Sequence, residues 1–321
     1  MHPFLLGVKM KLLFVEPQFK ERIWGGRKLE TVLDYQIPKG LIGEAWVISG
    51  HHHGQSMILN GPYKGQYLGD VYQAHKKELF NDDPSKTFPL LVKILDASKD
   101  LSIQVHPDDA YALEYEHEYG KTECWYVLGV EKDTKIIDGH TANSKQEFIE
   151  KIEKNDLSLW HEREIKKGDF ISIPARKVHA IGGGALIYEV QQSSDTTYRI
   201  YDYDRVDQQG KKRELHLKQA LDVIHIPDIV ESNQTKVFET PEAKRFTYLE
   251  NEYFKVSRLE LDGTYQCSTD QYMLISILSG SGRINDQAVK QGDHIVVCDI
   301  HGLDNVNYTG SMALMITERV V

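Results

Sequence analysis

One predicted β-strand carries two polar side chains that face the same way, and both are of a metal-binding type. Between residues 101 and 106, apolar and polar residues alternate with the period of two that is typical of a strand. Gln104 and His106 therefore share the face opposite the apolar one. A strand has little other reason to direct two polar groups inward, so we interpret them as ligands that face a cavity.

Two further side chains of this chemical class stand beside predicted strands. Glu123 directly precedes the apolar run 124–128, and His179 follows segment 168–174, where a turn leads into a short strand that ends at a proline. Two imidazoles, a carboxylate and an amide oxygen suit Zn²⁺, and also Fe²⁺ or Mn²⁺. A single histidine on a strand is more often structural, and sequence spacing alone does not exclude that alternative.

Composition and charge are those of an ordinary soluble globular protein. The chain has 321 residues, of which 40% are hydrophobic and 27% charged, enough for two domains with sizeable cores. Lys and Arg number 38 against 48 Asp and Glu, which gives a net charge of −10. No extended basic stretch favours nucleic acid, and no basic amphipathic face or long apolar run favours a membrane. We therefore expect neither kind of partner.

The three cysteines, Cys124, Cys267 and Cys298, each lie in an apolar, strand-like run. Their wide spacing forms neither a disulfide framework nor a metal-binding pair, so we expect small buried thiols in a reducing compartment. The cytoplasm is the predicted location.

Short strand-like runs separated by Gly, Asn and Asp dominate the chain, a rhythm typical of an antiparallel sandwich or barrel. We predict strands over residues 45–49, 56–59, 90–95, 171–173 and 186–190. A helical period predicts helices over residues 68–80, 110–118, 144–152 and 214–224. The third of these has a capping pair, Ser144 with Glu147.

A faint internal repeat links the two halves of the chain. The segment KGDFISI at 167–173 resembles QGDHIVV at 291–297, and the run at 125–129 resembles the run at 275–280. In both halves we expect Gly-Asp to form a turn that leads into a strand, with the glycine at positive φ. The repeat therefore predicts two related β-barrels.

The predicted barrels are joined by the polar stretch 227–244, which carries two prolines and has the composition of a linker. We place the domain boundary there. The resulting domains are 1–235, a catalytic barrel with helical insertions, and 236–321, a degenerate barrel.

The repeat is asymmetric in its candidate ligands. By its alignment, Met273 stands where the first half has Glu123, and Leu303 stands where the first half has His179. The second barrel has therefore lost the metal set. We expect its histidines to be structural or solvent-facing, namely His294 and His301.

Polar residues crowd the segment 188–199. Such groups are costly inside a protein unless they line a wet cleft, although a hydrogen-bonded loop explains this segment alone equally well. Lys93 stands on the otherwise apolar strand 90–95, where it needs a partner or an anionic ligand. Lys121 adds a second cation two residues before Glu123.

Five ordered segments give the chain a specific resemblance to a known family. They are LVKILDA from Leu91, LSIQVHPD from Leu101, GKTE from Gly120, IPARKVHA from Ile173 and SDTTYR from Ser194. In order and spacing they are similar to the type I mannose-6-phosphate isomerases, a cupin family, in the short bacterial form that lacks a large helical domain. The resemblance covers roughly residues 12 to 320 and is weaker beyond Arg205.

The resemblance implies a mainly β fold of two cupin-like jelly-roll barrels, with a few helices inserted in and between them. It implies one Zn²⁺ per chain, with the ligands Gln104, His106, Glu123 and His179. It also implies a substrate cleft with substrate-binding residues Lys93, Ser102 and Asp195 and catalytic residues Lys121, Glu189 and Arg199. The implied partner is a small sugar phosphate, the implied activity interconverts mannose 6-phosphate and fructose 6-phosphate, and we expect a monomer or homodimer.

Aldose–ketose isomerisation moves a proton between C1 and C2 through a cis-enediol, so it needs a base and a way to stabilise charge on oxygen. Zn²⁺ would act as a Lewis acid, and cations would bind and orient the phosphate. The base stays open between two residues. Glu189 suits the task if burial raises its pKa, whereas Lys121 would first have to lose its proton beside the metal. We favour Glu189, acting with Arg199 near C1 and C2.

Two rival functions stay open on the residues alone. His106, Glu123 and His179 compose the two-histidine, one-carboxylate set of non-haem iron oxygenases, although Gln104 and the nearby cations argue against that chemistry. The other rival is a sugar-phosphate-binding module that has kept the ligands and lost catalysis.

Overall fold

A computed structural model of the chain describes residues 11–206, 210–230, 234–300 and 304–321. The described residues form two compact units. One unit comprises residues 19–46 and 90–232, and we call it the cavity unit; the other comprises the described residues within 1–18, 47–89 and 233–321, and we call it the single-sheet unit. The predicted domain boundary at residue 235 stays a prediction, and the compact units differ from it in where residues 11–18 and 47–89 lie.

Strands dominate both units. They are β1 Lys11–Phe14, β2 Gln18–Gly26, β3 Ile42–Ser49, β4 Leu90–Asp96, β5 Ile103–Val105, β6 Glu123–Gly129, β7 Lys135–His140, β8 Trp160–Glu164, β9 Phe170–Ile173, β10 His179–Ile181, β11 Leu186–Gln192, β12 Tyr198–Tyr201, β13 Lys236–Glu239, β14 Ala243–Glu250, β15 Phe254–Thr269, β16 Met273–Ile284, β17 Gln287–Lys290, β18 His294–Cys298 and β19 Asp304–Arg319. The helices are α1 Lys28–Thr31, α2 Leu68–Leu79, α3 Asp109–Tyr115, α4 Lys145–Glu153 and α5 Leu217–Val223, with 3₁₀ turns at Gly61–Tyr63 and Leu157–Leu159.

The cavity unit is built from two β-sheets. One has the strand order β2-β3-β4-β11-β6-β9 and the other the order β12-β5-β10-β7-β8. A core cluster takes side chains from both sheets, including Leu95 and Trp125 from the first and Ile136 and Ile181 from the second. Burial of these apolar faces against each other holds the sheets together as a sandwich. The predicted mainly β, jelly-roll class is confirmed, with open facing sheets instead of a closed barrel.

Most predicted elements are confirmed, with boundaries that differ by a few residues. All four predicted helices are present, and Ser144 Oγ accepts a hydrogen bond from the backbone N–H of Glu147, as the capping pair predicts. The predicted strand 56–59 is wrong. Isolated bridges, and no continuous ladder, join Met57 and Ile58 to other segments. The backbone N–H of Phe14, on the neighbouring strand β1, donates to the side-chain oxygen of Asn60. Among the described residues, no helix is long and apolar enough to span a membrane.

The internal repeat is confirmed at the level of single hydrogen bonds. Gly168 and Gly292 have φ of 93° and 85°, the left-handed region that glycine adopts without steric cost. Each donates its N–H to the carbonyl of the matching residue in the repeat, Val127 at 2.9 Å and Ile277 at 3.0 Å. The register of the two halves is therefore the one that the sequence predicts.

The single-sheet unit has eight strands in the order β1-β18-β16-β19-β15-β14-β13, with β17 beside β16. Buried aliphatic residues such as Met273, Ile295 and Leu314 form its core. An acidic side chain from the loop after α2 is tied to this sheet. Asp83 accepts hydrogen bonds from Tyr272 Oη at 2.8 Å and from Arg319 Nε at 2.9 Å.

Candidate active site

Neighbouring strands of the cavity unit bring the four predicted ligands together. β5 lies between β10 and β12, and in that sheet His179 is the cross-strand partner of Gln104. His106 directly follows β5, and Glu123 is the first residue of β6 in the facing sheet. The period of two along β5 keeps Gln104 and His106 on one side of the strand.

The ligand atoms of the four side chains lie within contact distance of one another. The two imidazole Nε2 atoms are 3.1 Å apart, and the carboxylate of Glu123 is 3.5 Å from His106 Nε2 and 3.4 Å from His179 Nε2. The amide Nε2 of Gln104 is 3.5 Å from His106 Nε2 and 3.4 Å from His179 Nε2. All of these groups except Gln104 are about 99% buried.

The surroundings fix both histidines in the tautomer that a metal needs. Nδ1 of His106 donates to the carbonyl of Thr196 at 2.9 Å, and Nδ1 of His179 donates to the carbonyl of Lys177 at 2.9 Å. Each Nε2 therefore presents a lone pair to the other. Burial and the nearby Lys121 ammonium lower the pKa of His106 well below its ordinary value and that of His179 to about 3, so both rings are neutral.

This arrangement fits a tetrahedral metal ion. Four ligands at about 2.0–2.1 Å from a common centre would stand roughly 3.3 Å apart, close to the separations in the structure. Two imidazole lone pairs and a carboxylate that converge form a donor set that suits such an ion. Ligation through the Gln104 oxygen requires its amide to turn over, and Ser102 Oγ, 3.1 Å from Oε1, can accept from the amide nitrogen as readily as it donates to the oxygen.

Lys121 supplies a positive charge beside these ligands. Its Nζ donates to Glu123 Oε2 at 2.5 Å and lies 2.9 Å from His106 Nε2. The side chain is buried, so it offsets part of the negative charge of Glu123 inside the protein.

A cavity of about 440 Å³ opens beside the ligands. It is lined by nine of the ten residues that the sequence predicts for the site, namely Lys93, Ser102, Gln104, Lys121, Glu123, His179, Glu189, Asp195 and Arg199. The tenth, His106, contacts Gln104 and Lys121 at the edge of the same cavity. The structure therefore places all ten together, and the individual roles stay predictions.

Glu189 is a buried carboxyl group with two partners. Its Oε2 accepts from Trp125 Nε1 at 3.0 Å, and its Oε1 lies 3.4 Å from Lys93 Nζ. Burial, followed by the nearby carboxylate of Glu123, raises the pKa of Glu189 above its ordinary value. A carboxyl group with a raised pKa in a cavity has the chemistry of a general base.

Arg199 extends the site along β12, where it is the cross-strand partner of Gln104. Its Nε is buried and has no hydrogen-bond partner among the described residues. Arg199 and Arg213 both line the cavity. Burial and the neighbouring Arg213 guanidinium lower the pKa of Arg199. Arg213 is oriented by Asp202, to which its Nε donates at 2.8 Å.

Sequence reasoning missed several cavity residues, Arg213 among them. The others include Arg22, whose guanidinium binds the buried carboxylate of Glu44 in a bidentate pair, at 3.2 Å and 2.9 Å. Burial opposes the charge of Glu44, yet Arg22 and Lys93 hold its pKa below the ordinary value. Glu44 could have been found from the sequence, because it is a charged residue in an otherwise apolar strand, as Lys93 is.

Among its described residues, the second half of the repeat carries no comparable set. Met273 pairs with Val297 just as Glu123 pairs with Ile173, so a buried methionine takes the place of the carboxylate. His294 is buried and bonded to Ser276 Oγ at 2.8 Å, as expected of a structural histidine. Within the described part of residues 234–321, no three His, Cys, Asp or Glu side chains converge. Leu303 and His301 lie outside the described residues.

Comparison with known proteins gives consistent matches over nearly the whole chain. Residues 12–128 match the family model "Phosphomannose isomerase type I, catalytic domain", and residues 244–317 match "Mannose-6-phosphate isomerase, cupin domain". The mannose-6-phosphate isomerases of Streptococcus mutans and Bacillus subtilis (ManA) are each 44% identical over 292 residues, which cover 89% of this chain and 92% of each relative. A crystal structure of the mannose 6-phosphate isomerase from Bacillus subtilis superposes with a TM-score of 0.91 at 38% identity, over 95% of this chain and 99% of that one.

Proposed function

The chain belongs to the type I mannose-6-phosphate isomerase family, and on that premise we propose how its cavity interconverts mannose 6-phosphate and fructose 6-phosphate. The family resemblance seen in the sequence is thereby confirmed. One observation carries the proposal: two neutral imidazoles and a carboxylate converge, within a contact distance of each other, at the edge of a cavity that also holds a second carboxyl group and several cations.

The enzyme depends on a metal ion, and we assign Zn²⁺, one per chain, to Gln104, His106, Glu123 and His179. An ion held there would supply Lewis-acid stabilisation of the negative charge that develops on the sugar oxygens. The neutral state of both histidines supports this assignment, because each ring offers a lone pair without first having to lose a proton.

Glu189 is the proposed base. A cis-enediol requires that one group remove the proton from one carbon and return it to the neighbouring carbon on the same face of the sugar. A carboxylate with a raised pKa does both, since it binds the proton long enough to carry it between the two carbons. Lys121 Nζ donates to Glu123 Oε2 at 2.5 Å, so this nitrogen is already engaged with a proposed metal ligand. We therefore assign Lys121 to charge balance beside the sugar oxygens.

The proposed role of Arg199 follows from its place in the sheet. As the cross-strand partner of Gln104, it lies next to the ligand set and hence near the reacting carbons. Its buried, unpartnered Nε is available to donate to a sugar oxygen as charge develops there. Lys93 contacts Glu189, and Ser102 donates a hydrogen bond to Gln104. We propose that these two residues, together with Asp195, also bind sugar hydroxyls.

We place the phosphate at the end of the cavity lined by Arg213. This residue borders both the cavity and a groove with Lys211 and Lys212, so positive charge is concentrated there in a chain of net charge −10. A guanidinium held by Asp202 offers a fixed pair of donors to phosphate oxygens. The cytoplasmic location and the monomeric or homodimeric state remain proposals.

The test is a coupled assay on mannose 6-phosphate before and after removal of metal by a chelator, followed by addition of Zn²⁺, Mn²⁺ or Fe²⁺ to separate samples. We expect activity to disappear with the metal and to return best with Zn²⁺. Oxygen consumption with Fe²⁺ and no isomerisation would favour the oxygenase alternative. Tight sugar-phosphate binding without turnover would favour the binding-module alternative.

A further inference from the structure

Trp125 is a buried donor that lies between two carboxyl groups with different proposed roles. Its Nε1 is 3.1 Å from Glu123 Oε1 and 3.0 Å from Glu189 Oε2. One indole N–H is therefore shared by a proposed metal ligand and the proposed base. All three side chains are at least 97% buried, so bulk water has little access to these contacts.

The strand geometry fixes this arrangement. Trp125 and Glu123 are two residues apart on β6, so their side chains leave the same face of the strand. Glu189 on β11 is the direct cross-strand partner of Trp125. The indole ring also packs edge-on against His179, with ring centroids 5.5 Å apart, which restricts its rotation.

Two buried carboxylates in such proximity repel each other, and a donor between them reduces that repulsion while it fixes their separation. The contact also selects which oxygen of Glu189 does the chemistry. Trp125 occupies Oε2, whereas the contact that Oε1 makes among the described residues is the longer one with Lys93 at 3.4 Å. Oε1 is thus the oxygen left to exchange a proton with the sugar.

We propose that Trp125 is a positioning residue for the isomerisation: its shared N–H fixes Glu189 relative to Glu123 and leaves Glu189 Oε1 directed at the reacting carbons. This inference rests on the proposed role of Glu189 as the base. Trp125 acts through that carboxyl group and need not touch the sugar.

The first test is Trp125→Phe, which keeps an aromatic ring in the core and removes the N–H. Loss of a hydrogen bond to a charged group should lower kcat by about tenfold to a hundredfold. KM should stay unchanged because the phosphate contacts are intact, and at saturating Zn²⁺ the metal content should stay at one ion per chain because all four proposed ligands are retained. Trp160→Phe is the matched control, since Trp160 packs against a different core cluster and should retain full kcat.

A double-mutant cycle separates positioning from a general structural effect. If Trp125 acts through Glu189, then Trp125→Phe should cause little further loss of kcat in a chain that already carries Glu189→Gln. A full multiplicative loss in that background would overturn the inference, as would loss of metal from Trp125→Phe. If Trp125→Phe keeps a near-normal kcat while Glu189→Gln is inactive, the role of Trp125 is overturned and the proposed base stands. A near-normal kcat for Glu189→Gln would overturn the proposed base and, with it, this role of Trp125.

A readout independent of turnover uses the metal-free protein. The chain has four tryptophans, so a ¹H–¹⁵N spectrum contains four indole signals, and Trp125→Phe identifies the one of interest. We expect that signal to exchange slowly with solvent and to be the one that shifts most in Glu189→Gln. Rapid exchange, or no shift in Glu189→Gln, would contradict the shared hydrogen bond.

Discussion

Arg205 and Arg213 bind the same carboxylate, that of Asp202, and of the two it is Arg213 that lines the active-site cavity. The guanidinium of Arg205 instead packs over the ring of Tyr203, 5.0 Å from its centroid. Two arginines that share an anchor but differ in their access to the cavity form a natural pair for testing where the phosphate binds.

Arg213→Met should raise the KM for mannose 6-phosphate by about tenfold to a hundredfold, the cost of one charge-assisted contact with phosphate. Its kcat should change much less, because we assign Arg213 to the phosphate and not to the reacting carbons. Steady-state kinetics and competition by inorganic phosphate measure both effects. Arg205→Met is the control and should keep a normal KM; equal effects in the two variants would mean that the pair only supports the fold.

Glu189→Gln should reduce kcat by at least a hundredfold while the metal stays bound, because the amide keeps the shape of the side chain but accepts no proton at this position. Turnover and metal content, measured on the same preparation, check this outcome. Glu164→Gln, at an exposed position on β8, should leave both quantities unchanged. Near-normal turnover in Glu189→Gln would transfer the role of the base to another residue.

His179→Ala should lose metal as well as activity, since it removes one of the two facing imidazoles. The variant should also lose the rise in melting temperature that Zn²⁺ gives the wild-type protein, because an ion that binds only the folded state stabilises it by about 2.7 kcal/mol at a hundred times its Kd. Thermal unfolding with and without Zn²⁺ measures the difference. The exposed His161 provides the control variant, His161→Ala, which should still respond to Zn²⁺ as the wild type does.

The single-sheet unit should lose stability in acid through Asp83. Burial opposes the charge of Asp83, yet hydrogen bonds from Ser85 and the guanidinium of Arg319 hold its pKa below the ordinary value of 3.8. A group whose pKa is lower in the folded state stabilises the protein above its unfolded pKa, and that contribution disappears as the pH falls through the folded pKa. The expected loss therefore lies below about pH 4.

Asp83→Asn tests this expectation by urea unfolding at several pH values. At pH 7 the variant should be less stable by about 3 kcal/mol, because Arg319 is left without its buried partner. Below pH 4 the gap between variant and wild type should narrow. A gap that stays constant with pH would contradict the role of the Asp83 charge, and the exposed neighbour offers a control in Asp82→Asn.

Local patterns predicted the parts of this site that depend on strand period. Gln104 and His106 follow from the alternation along one strand, and Glu123 follows from its place directly before an apolar run. The repeat predicted Met273 as the counterpart of Glu123, which strand pairing bears out. Lys93 was predicted because a lysine in an apolar strand needs a partner, and Glu189 lies 3.4 Å away.

Other parts depend on contacts between distant segments, which no local pattern reports. Trp125 has the sequence signature of an ordinary core residue, and only the pairing of β6 with β11 places its N–H between two carboxyl groups. Arg213 stands in a polar stretch that resembles any exposed loop. Residues 47–89 group with the C-terminal strands through tertiary contacts between segments far apart in the sequence. The ion pair between Asp83 and Arg319 is one of these contacts.

The central claim is that one metal ion, held by four named side chains, serves the cavity. X-ray data collected at the zinc absorption edge from crystals of the zinc-loaded protein test it most directly. The account predicts one anomalous peak per chain, about 2.0–2.2 Å from His106 Nε2, His179 Nε2 and oxygens of Gln104 and Glu123. A peak bound by other residues, or an active enzyme with no peak at these four, would contradict it.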